Sequence, residues 1–390
     1  MALEIALVSE TYPPEVNGVA MTVGRLVSGL RELGHRVEVI RPRQTLGDAG
    51  GDDDRTVAAL PLPGYYGLRF GLPAGGMLTR RWRLRRPDLV HVVTEGPLGW
   101  SAVSAARRLG IPVTSGFHTN FDRYSAYYGV GWLRPLVAAY LRILHRRTLL
   151  TMVPTATLAA DLAGSGIGGV RVVGRGVDTG LYDPARRSAN LRASWGVSAG
   201  QPACLYVGRL APEKNPQLVL AAFAAIRQRH PGARLIWVGD GPAAEGLASA
   251  HPEHHFAGMR TGVDLAMHYA SADLFLFPSL TETYGNVVAE AMASGLPVVA
   301  YRSAAAAELI DHRHNGVVAP PGDELAYIEA ATWLLAEPER RRQVGEMARA
   351  SMLTRRWSDI VERFASVVGE AIEINARSSS GSAPQPAHHG

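Results

Sequence analysis

The sequence of 390 residues is poor in cysteine and lysine and has no long apolar run. Its one cysteine, Cys204, excludes a disulfide framework and a cysteine-based zinc site. No stretch approaches the ~18 consecutive apolar residues of a membrane-spanning helix, and residues 1–10, which lack a basic residue, are not typical of a signal peptide. With 47% hydrophobic and 19% charged residues the chain is expected to fold. We therefore expect a cytoplasmic protein, free or peripheral on the inner face of the plasma membrane.

Lysine is rarer than any other charged residue. Of the 40 basic residues 39 are Arg, and Lys214 is the only Lys. Because the chain uses Arg for every other cation, Lys214 is a candidate for a role that the larger guanidinium does not fill. The basic residues are also unevenly placed, since residues 1–180 hold 21 Arg against 14 Asp or Glu. This basic first half indicates an anionic partner: nucleic acid, a membrane surface or an acidic substrate.

Apolar strands alternate with amphipathic helices in two series. The first begins with a strand at 3–8 and a helix at about 20–33, and the second with a strand at 203–207 and a helix at 216–229. This rhythm predicts the α/β class, with two doubly wound domains whose ligand loops face an interdomain cleft. The expected segments are a first domain at 1–178, a second domain at 179–355, a C-terminal helix at 356–374 that packs on the first domain, and a disordered tail at 376–390.

The loop after the strand at 203–207 carries Gly208, Arg209 and Lys214. A glycine lets the backbone approach a ligand. A guanidinium fork and a compact ammonium five residues apart can hold one diphosphate from two sides. A solvated surface loop is the other interpretation, but the lone Lys and the position after a strand favour the diphosphate.

Two glutamates flank the start of a predicted helix at 286–293. Glu282 lies in the loop after the strand at 274–277, and Glu290 lies a turn into the helix. We expect the preceding Ser and Thr residues to cap this helix, whose free N–H groups and positive dipole end favour an anion. A carboxylate on such a helix can accept sugar or ribose hydroxyls. Alternatively, Glu282 is a partner of the helix dipole and Glu290 is an exposed helix acid.

Three further patterns point to other kinds of site. Gly164–Gly169 has the G-x-G-x-x-G spacing, but it follows a helix and precedes a strand, the reverse of a dinucleotide-binding loop. Asp52–Asp54 form an acidic cluster in a Gly-flanked polar loop, where solvation is the simpler interpretation. The 13 His include no H-E-x-x-H pattern, the spacing of a helical zinc site in which a Glu directly follows the first His. We expect no NAD, no required metal and no other cofactor.

Together the motifs resemble glycosyltransferase family 4. The similarity is carried by Gly-Arg-x4-Lys at 208–214, Val-Gly-Asp-Gly-Pro at 238–242 and Glu-x7-Glu at 282–290, and it runs from residue 3 to about 370. It implies GT-B architecture with two Rossmann-like domains and retaining transfer from a nucleotide sugar. Asn17-Gly18, with one glycine where many relatives have two, is most similar to a bacterial lipid-glycosylating subgroup. That subgroup includes GDP-mannose-dependent mannosyltransferases and sulfoquinovosyl-diacylglycerol synthases.

The resemblance also implies roles for individual residues. Arg209 and Lys214 would bind the diphosphate, Glu290 the ribose hydroxyls and Glu282 the hydroxyls of the donor sugar. His118, which is otherwise a core or loop residue, would contact the transferred sugar near its reacting centre. The other residues implied to contact the donor are Gly18, Asp240, Met259, Thr283, Tyr284, Gly285, Asn286 and Val287.

The expected chemistry follows from charge. Cleavage of the anomeric C–O bond leaves negative charge on the diphosphate, which Arg209, Lys214 and a helix N-terminus would stabilise. A retaining glycosidase with paired carboxylates is the competing enzyme class, but it does not account for the cationic loop. The preferred reaction is transfer of mannose from GDP-mannose to a lipid or glycolipid hydroxyl. The alternatives are a UDP-sugar-dependent transferase of glucose, galactose or sulfoquinovose, and a non-catalytic sugar-nucleotide-binding protein.

A basic segment precedes the predicted strand at 89–93, and an apolar segment with basic ends lies at 132–147. The basic segment contains Arg80, Arg81, Trp82, Arg83, Arg85 and Arg86. We expect its Arg residues to attract anionic lipid and Trp82 to lie at the headgroup level, although a solvated helix end has the same composition. The predicted partners are thus a nucleotide-sugar donor, a lipid or glycolipid acceptor and an anionic membrane surface. Nucleic acid is disfavoured, because the sequence contains no known binding module.

Overall fold

The structure is a computed structural model that describes residues 2–15, 17–45, 47–51, 53–61, 69–118 and 134–380. Within these ranges the chain divides into two compact units. The first contains residues up to 118, then 134–174 and 358–380, and the second contains residues 175–357. The border therefore lies between 174 and 175 rather than at the predicted 178.

The first unit is built on a parallel sheet. Its strands are β1 (Glu4–Val8), β2 (Arg36–Pro42), β3 (Asp54–Val57), β4 (Ala59–Pro61), β5 (Arg69–Gly71), β6 (Leu89–Val92), β7 (Val113–Gly116), β8 (Leu150–Val153) and β9 (Val170–Val172). Seven of them form the sheet in the order β3-β2-β1-β6-β7-β8-β9, while β4 and β5 pair antiparallel. The strand order reverses at β1, as a doubly wound fold requires.

Helices cover both faces of this sheet. They are α1 (Gly18–Glu32), α2 (Gly75–Leu84), α3 (Pro97–Arg108), α4 (Arg134–Arg146) and α5 (Ala156–Gly164). Side chains of a strand alternate between faces, so Ile5 and Leu7 of β1 join the core that includes Val23 of α1. Ala6 and Val8 join the opposite core beneath α2 and α3. Burial on both faces explains why β1 is an almost continuous apolar run.

The second unit repeats this plan. Its strands are β10 (Ala203–Val207), β11 (Arg234–Val238), β12 (His255–Gly258), β13 (Leu274–Phe277), β14 (Val298–Tyr301) and β15 (Val317–Ala319). They form a parallel sheet in the order β12-β11-β10-β13-β14-β15. Its helices are α6 (Ala189–Ser194), α7 (Pro216–Arg229), α8 (Ala244–Ala250), α9 (Gly262–Ser271), α10 (Asn286–Ala293), α11 (Ala304–Leu309), α12 (Glu324–Ala336) and α13 (Pro338–Met352). The predicted bounds of β10, α7 and α10 are confirmed.

The chain then returns to the first unit through α14 (Trp357–Ser380). Val361, Phe364 and Val368 lie on one face of this helix and are buried in the core that contains Ile5. A Cβ on Gly29 of α1 would lie 2.5 Å from Val361 Cγ2, so a glycine is needed for α1 to pack this closely. The helix extends through Ser380, and the prediction of disorder from 376 is wrong for 376–380. Residues 381–390 lie outside the described ranges.

Across the described part of the chain, every helix is too short or too polar to cross a bilayer.

Candidate functional site

Three loops meet at the carboxyl edge of the second sheet. The N–H of Gly208 donates to the carbonyl of Val238 at 3.0 Å, and the N–H of Gly239 donates to the carbonyl of Gly258 at 2.9 Å. Gly239 has a φ of +129°, and a Cβ there would lie 2.0 Å from the Gly208 carbonyl oxygen. Only glycine fits this approach, so the loops after β10, β11 and β12 form one main-chain framework.

Lys214 and Glu282 meet on this framework. Lys214 ends a short 3-10 turn at Pro212–Lys214, and its Nζ contacts Oε1 of Glu282. The hydroxyl of Ser279 donates to the same carboxylate oxygen at 2.9 Å. The Lys214 and Glu282 side chains are only 9% and 17% exposed, so neither belongs to a solvated surface loop. Glu282 is therefore not a simple partner of the helix dipole.

Arg209 is held by a buried acid that the motif analysis did not identify. Its Nη1 lies 3.3 Å from Oε1 of Glu213, whose side chain is fully buried. The hydroxyl of Thr281 donates to the Glu213 carbonyl at 3.4 Å, and the Tyr206 hydroxyl donates to the Arg209 carbonyl at 2.9 Å. The guanidinium remains partly exposed. A spacing of four residues between Arg209 and Glu213 was the available sequence signal.

Helix α10 begins differently from expectation. Its N-cap is Gly285, with a φ of +89° and no side-chain cap, so the prediction that Ser or Thr caps it is wrong. The positive φ explains the glycine. Tyr284 is buried, and its carbonyl accepts the Ala305 N–H at 2.8 Å. Thr283, Asn286 and Val287 remain partly exposed at the helix start.

Glu290 faces two tyrosine hydroxyls. Tyr269 donates to Glu290 Oε2 at 2.9 Å, and Tyr182 is hydrogen-bonded to the same carboxylate. Burial raises the pKa of Glu290 to about 7, although both hydrogen bonds lower it. Glu290 is thus not an exposed helix acid. The two tyrosines were missed because no local spacing relates residues 182, 269 and 290.

Two other predicted donor contacts lie on the same set of loops. The Asp240 carboxylate accepts the N–H of Gly241 at 2.7 Å, which stabilises the turn after β11. Met259 follows β12 and is 56% exposed. A cavity bordered by Glu282, Ser279 and Ser303 has a volume of about 10 Å³, which is room for one water rather than a sugar. This cavity is therefore too small for a sugar.

Gly18 and His118 belong to the first unit. Gly18 is exposed and opens α1, whose N-cap Asn17 accepts the N–H groups of Val19 and Ala20 at 3.1 and 2.8 Å. His118 is partly buried and follows β7. Its ring lies against Gly116, where a Cβ would be 2.4 Å from Nε2.

Two buried acids at the edge of the first sheet were also missed. The Glu10 carboxylate accepts the N–H of Leu98 at 3.1 Å and that of Gly71, and burial raises its pKa to about 7. Oε1 of Glu95 lies 3.5 Å from Nε2 of His145, and both side chains are buried. Glu10 thus links the loop after β1 to β5 and to the start of α3, and Glu95 links the loop after β6 to α4.

Trp82 corrects the prediction of an interfacial segment. It is 1% exposed and packs with Leu78, Ile40 and Val90 in the core of the first unit. A side chain buried in this core cannot lie at the headgroup level of a membrane, so that assignment is wrong. Leu78 and Trp82 are four residues apart and share the inward face of α2.

The Arg residues around Trp82 differ in their contacts. Three are held by the protein: Arg81 by Glu38, Arg85 by Glu4, and Arg86 by the carbonyls of Leu109 and Gly110. Arg80 and Arg83 are exposed on α2. The cationic surface available to anionic lipid is therefore smaller than the predicted six-residue segment.

Two groups of acids and histidines could be considered as metal ligands from their spacing in the chain, Asp52–Asp54 and His251–His254. Asp54 opens β3, not a loop as predicted, and lies 3.5 Å from Arg41, while Asp53 lies 3.7 Å from Arg31; Asp52 is outside the described residues. His251, Glu253 and His254 place their ligand atoms within 4.8 Å of one another. The Trp237 indole donates to His254 Nδ1 at 3.4 Å. A neutral His254 then carries its proton on Nε2, whereas a metal ligand binds the ion through an unprotonated nitrogen and donates its other ring N–H to a protein acceptor.

Comparison with known proteins gives two family matches. Residues 16–181 match the family described as Glycosyltransferase Family 4, and residues 201–337 match the family described as Glycosyl transferases group 1. A GDP-mannose-dependent alpha-mannosyltransferase from Mycolicibacterium smegmatis is 35% identical over 378 residues, which cover 94% of this chain and 98% of the relative. The chain belongs to glycosyltransferase family 4.

This glycosyltransferase also resembles proteins whose names give other specificities. Sulfoquinovosyl transferase SQD2 from Arabidopsis thaliana is 30% identical over 358 residues, covering 88% of this chain and 69% of the relative. The crystal structure of Anabaena HepE in complex with UDP shares the fold, with a TM-score of 0.75, 19% identity and coverage of 94% and 100% of the two chains. The predicted family, the α/β class with two parallel-sheet domains and the enzyme class are confirmed.

Proposed function

We propose that this glycosyltransferase moves mannose from GDP-mannose to a lipid or glycolipid hydroxyl, with retention of the anomeric configuration. The supporting observation is the cluster in which Lys214 contacts Glu282 beside the start of α10. It occurs in a chain that is 35% identical, over nearly its full length, to a GDP-mannose-dependent alpha-mannosyltransferase.

In this proposal Arg209 and Lys214 bind the diphosphate. Each cation is already oriented by a carboxylate, Arg209 by Glu213 and Lys214 by Glu282. Oriented charges need little rearrangement as the diphosphate gains negative charge, which is the source of their effect on the rate. The uncapped start of α10 adds main-chain N–H groups from Thr283 to Val287 on the same side.

The two motif glutamates bind the hydroxyl groups of the donor. Glu282 accepts hydroxyls of the transferred sugar, and Glu290 accepts those of the ribose. In this proposal Asp240 and Met259, on the loops after β11 and β12, would contact the nucleoside. In this proposal the second unit is the donor-binding domain and the first unit binds the acceptor, while Gly18 and His118 keep the contacts with the diphosphate and the transferred sugar that the family resemblance implies.

The transfer then balances without a strong base. The anomeric C–O bond breaks and its electron pair leaves with the diphosphate, while the acceptor oxygen forms the new bond on the same face. The acceptor proton passes to the departing phosphate oxygen. Arg209 and Lys214 supply positive charge, and we therefore propose that no divalent metal is required.

We also propose that the first unit docks on anionic membrane. Arg80 and Arg83 are exposed on α2, and Leu136 and Ile143 are 65% and 52% exposed on α4. Exposed apolar and cationic side chains together favour an anionic lipid surface. A lipid acceptor would be reached from such a surface.

A donor panel tests the activity. The purified full chain is incubated with GDP-mannose, UDP-glucose, UDP-galactose or UDP-sulfoquinovose and with diacylglycerol or glycolipid vesicles, and products are analysed by mass spectrometry and NMR. We expect an α-linked mannolipid from GDP-mannose. Transfer from UDP-sugars alone, or a β-linked product, would contradict the proposal.

A UDP-sugar-dependent lipid glycosyltransferase is the second candidate. It is favoured by the 30% identity to a sulfoquinovosyl transferase. The same donor panel distinguishes the two candidates, because a GDP-mannose-dependent enzyme releases GDP and a UDP-sugar-dependent enzyme releases UDP. A protein that bound the donor without turnover would release neither.

A further inference from the structure

The carboxylate of Glu290 is held by tyrosines from two separate segments. Tyr269 near the end of α9 donates to Oε2 at 2.9 Å, and Tyr182 is the second hydrogen-bond partner. The two rings meet edge to face, with centroids 5.7 Å apart. Glu290 therefore contacts a rigid pair of phenols rather than solvent alone.

Both tyrosines are fixed from behind. Tyr269 is fully buried, and its ring meets Phe275 edge to face at 5.7 Å. The carbonyl of Tyr182 accepts a hydrogen bond from Arg349 at 2.7 Å, and Arg349 also pairs with Asp183 at 2.8 Å. The burial of the Tyr269 ring and the anchored main chain of Tyr182 limit how far the two phenols can follow a moving carboxylate, and this restricts the orientation of Glu290. An unsupported Glu on a helix would sample several rotamers.

We infer that Tyr269 and Tyr182 are positioning residues through which this site distinguishes a ribonucleoside diphosphate from its deoxy analogue. The inference rests on the proposed function, in which Glu290 accepts the ribose hydroxyls. An ionised carboxylate has about four lone-pair positions, and the phenols occupy some of them. The remaining positions then point in fixed directions that suit a pair of vicinal hydroxyls.

Discrimination follows from what happens when those hydroxyls are missing. A fixed, partly desolvated carboxylate that loses its donors leaves acceptor positions unpaired, and the site rejects the analogue. A carboxylate free to rotate can turn to water instead and loses less. Removal of a phenol should thus weaken binding of the natural ribose more than binding of a deoxyribose.

The test compares GDP with 2′,3′-dideoxy-GDP by calorimetry on the full chain. We expect the wild type to bind GDP roughly 10- to 100-fold more tightly, the range for hydrogen bonds to a charged group. Tyr269→Phe and Tyr182→Phe should each reduce this ratio by about threefold or more, and Glu290→Gln should nearly abolish it. In transfer assays the KM of the donor should rise while kcat at saturating donor stays close to that of the wild type.

Tyr327→Phe is the matched control. Tyr327 is also fully buried in the second unit, and its hydroxyl donates to the Val299 carbonyl at 3.2 Å, away from Glu290. Tyr327→Phe should lose stability in the same way as Tyr269→Phe, but it should keep the wild-type ratio of the affinities for GDP and 2′,3′-dideoxy-GDP. If Tyr269→Phe is poorly folded, Tyr182→Phe carries the test, because Tyr182 lies at the edge of the core.

The possible failures are distinguishable. If the wild type binds neither GDP nor UDP, the proposed function fails and the inference with it. If the wild type prefers GDP over its dideoxy analogue and both Tyr→Phe variants keep the full ratio, the inference alone is overturned. If UDP binds more tightly than GDP, the same comparison is made with UDP and 2′,3′-dideoxy-UDP.

Discussion

The Lys214 ammonium contacts the Glu282 carboxylate although 68 residues separate them in the chain. The contact joins the loop after β10 to the loop after β13, two neighbouring strands of the second sheet. The two opposite charges balance each other in a mostly buried place. Under the proposed function, a diphosphate sugar would bind both partners at once, with its phosphates on the cation and its hydroxyls on the carboxylate.

Lys214→Ala should slow transfer strongly. Loss of one preoriented positive charge at the leaving group should raise the barrier by roughly 3 kcal/mol, and Lys214→Arg should recover part of this, since a guanidinium is larger and planar. Turnover is measured by release of nucleoside diphosphate, with thermal unfolding as a check on the fold. Arg342→Ala is the control, because it removes one positive charge from a side chain that is 58% exposed. Wild-type turnover by Lys214→Ala would show that Lys214 does not bind the diphosphate.

Gly239→Ala should destabilise the second unit. Its Cβ would lie 2.0 Å from the Gly208 carbonyl oxygen at a φ of +129°, and such strain costs about 1–3 kcal/mol or more. Gly246→Ala in α8 is the matched control, since nothing lies within 4 Å of its Cβ and Ala favours a helix by roughly 0.5–1 kcal/mol. Chemical denaturation of the two variants should therefore shift in opposite directions. Equal stability of both would mean that the loops do not approach as described.

Stability should depend on pH through Glu290. Its pKa is raised from 4.5 to about 7 in the folded chain, so between these values the folded state binds more protons than the unfolded state. Stability therefore falls as pH rises through this window. Glu290→Gln removes the titrating group. The free energy of unfolding of this variant, relative to that of the wild type, should therefore rise by about 2 kcal/mol between pH about 5 and about 8. Thermal unfolding at both pH values measures it; a difference between the proteins that does not change with pH would count against the raised pKa.

Trp82→Ala should act on the fold. The side chain is 1% exposed in the core of the first unit, and truncation of a buried Trp costs about 3–5 kcal/mol. Trp82→Phe should be far milder, because it keeps most of the packing. The Trp82→Phe variant also lacks the indole N–H, which has no hydrogen-bond acceptor among the described residues. Chemical denaturation measures the stabilities of the wild type and of both variants. If Trp82→Ala were as stable as the wild type, the ring would not be buried in the core.

The exposed arginines of α2 should govern binding to acidic vesicles. Arg80→Glu with Arg83→Glu should reduce sedimentation with anionic lipid at low salt, where the screening length exceeds its physiological ~8 Å. Arg340→Glu with Arg342→Glu in the second unit changes the net charge equally and should have little effect. Donor binding should be unchanged in the first pair. Sedimentation that ignores both lipid charge and the α2 changes would contradict membrane docking.

Sequence patterns predicted what is local or periodic. The strand at 203–207 and the helix at 286–293 were found with their observed bounds, because burial on both faces and a period of 3.6 leave clear marks. Lys214 was found through its rarity. In the structure Lys214 contacts Glu282. This agrees with the position of both residues in loops that follow parallel strands.

Features that depend on distant neighbours were not predictable in this way. Trp82 was assigned to a membrane surface because five Arg surround it in sequence, whereas the helical period turns it inward with Leu78. Tyr182 and Tyr269 reach Glu290 only through the packing of α9 and of the turn after 178. The positive φ of Gly285, not a Ser or Thr side chain, begins α10, and only the backbone path reveals it.

The return of α14 to the first unit has a consequence for synthesis on the ribosome. The core around Ile5 is completed by Val361, Phe364 and Val368, which are translated only after all of the second unit. At ~5–20 residues per second, the interval between residue 175 and residue 380 takes roughly 10–40 s. During that time the nascent first unit exposes the apolar groove that α14 later fills, while the strands of the second unit are translated one after another. A chain terminated before α14 would keep this groove open, and chaperones or proteases would act on it.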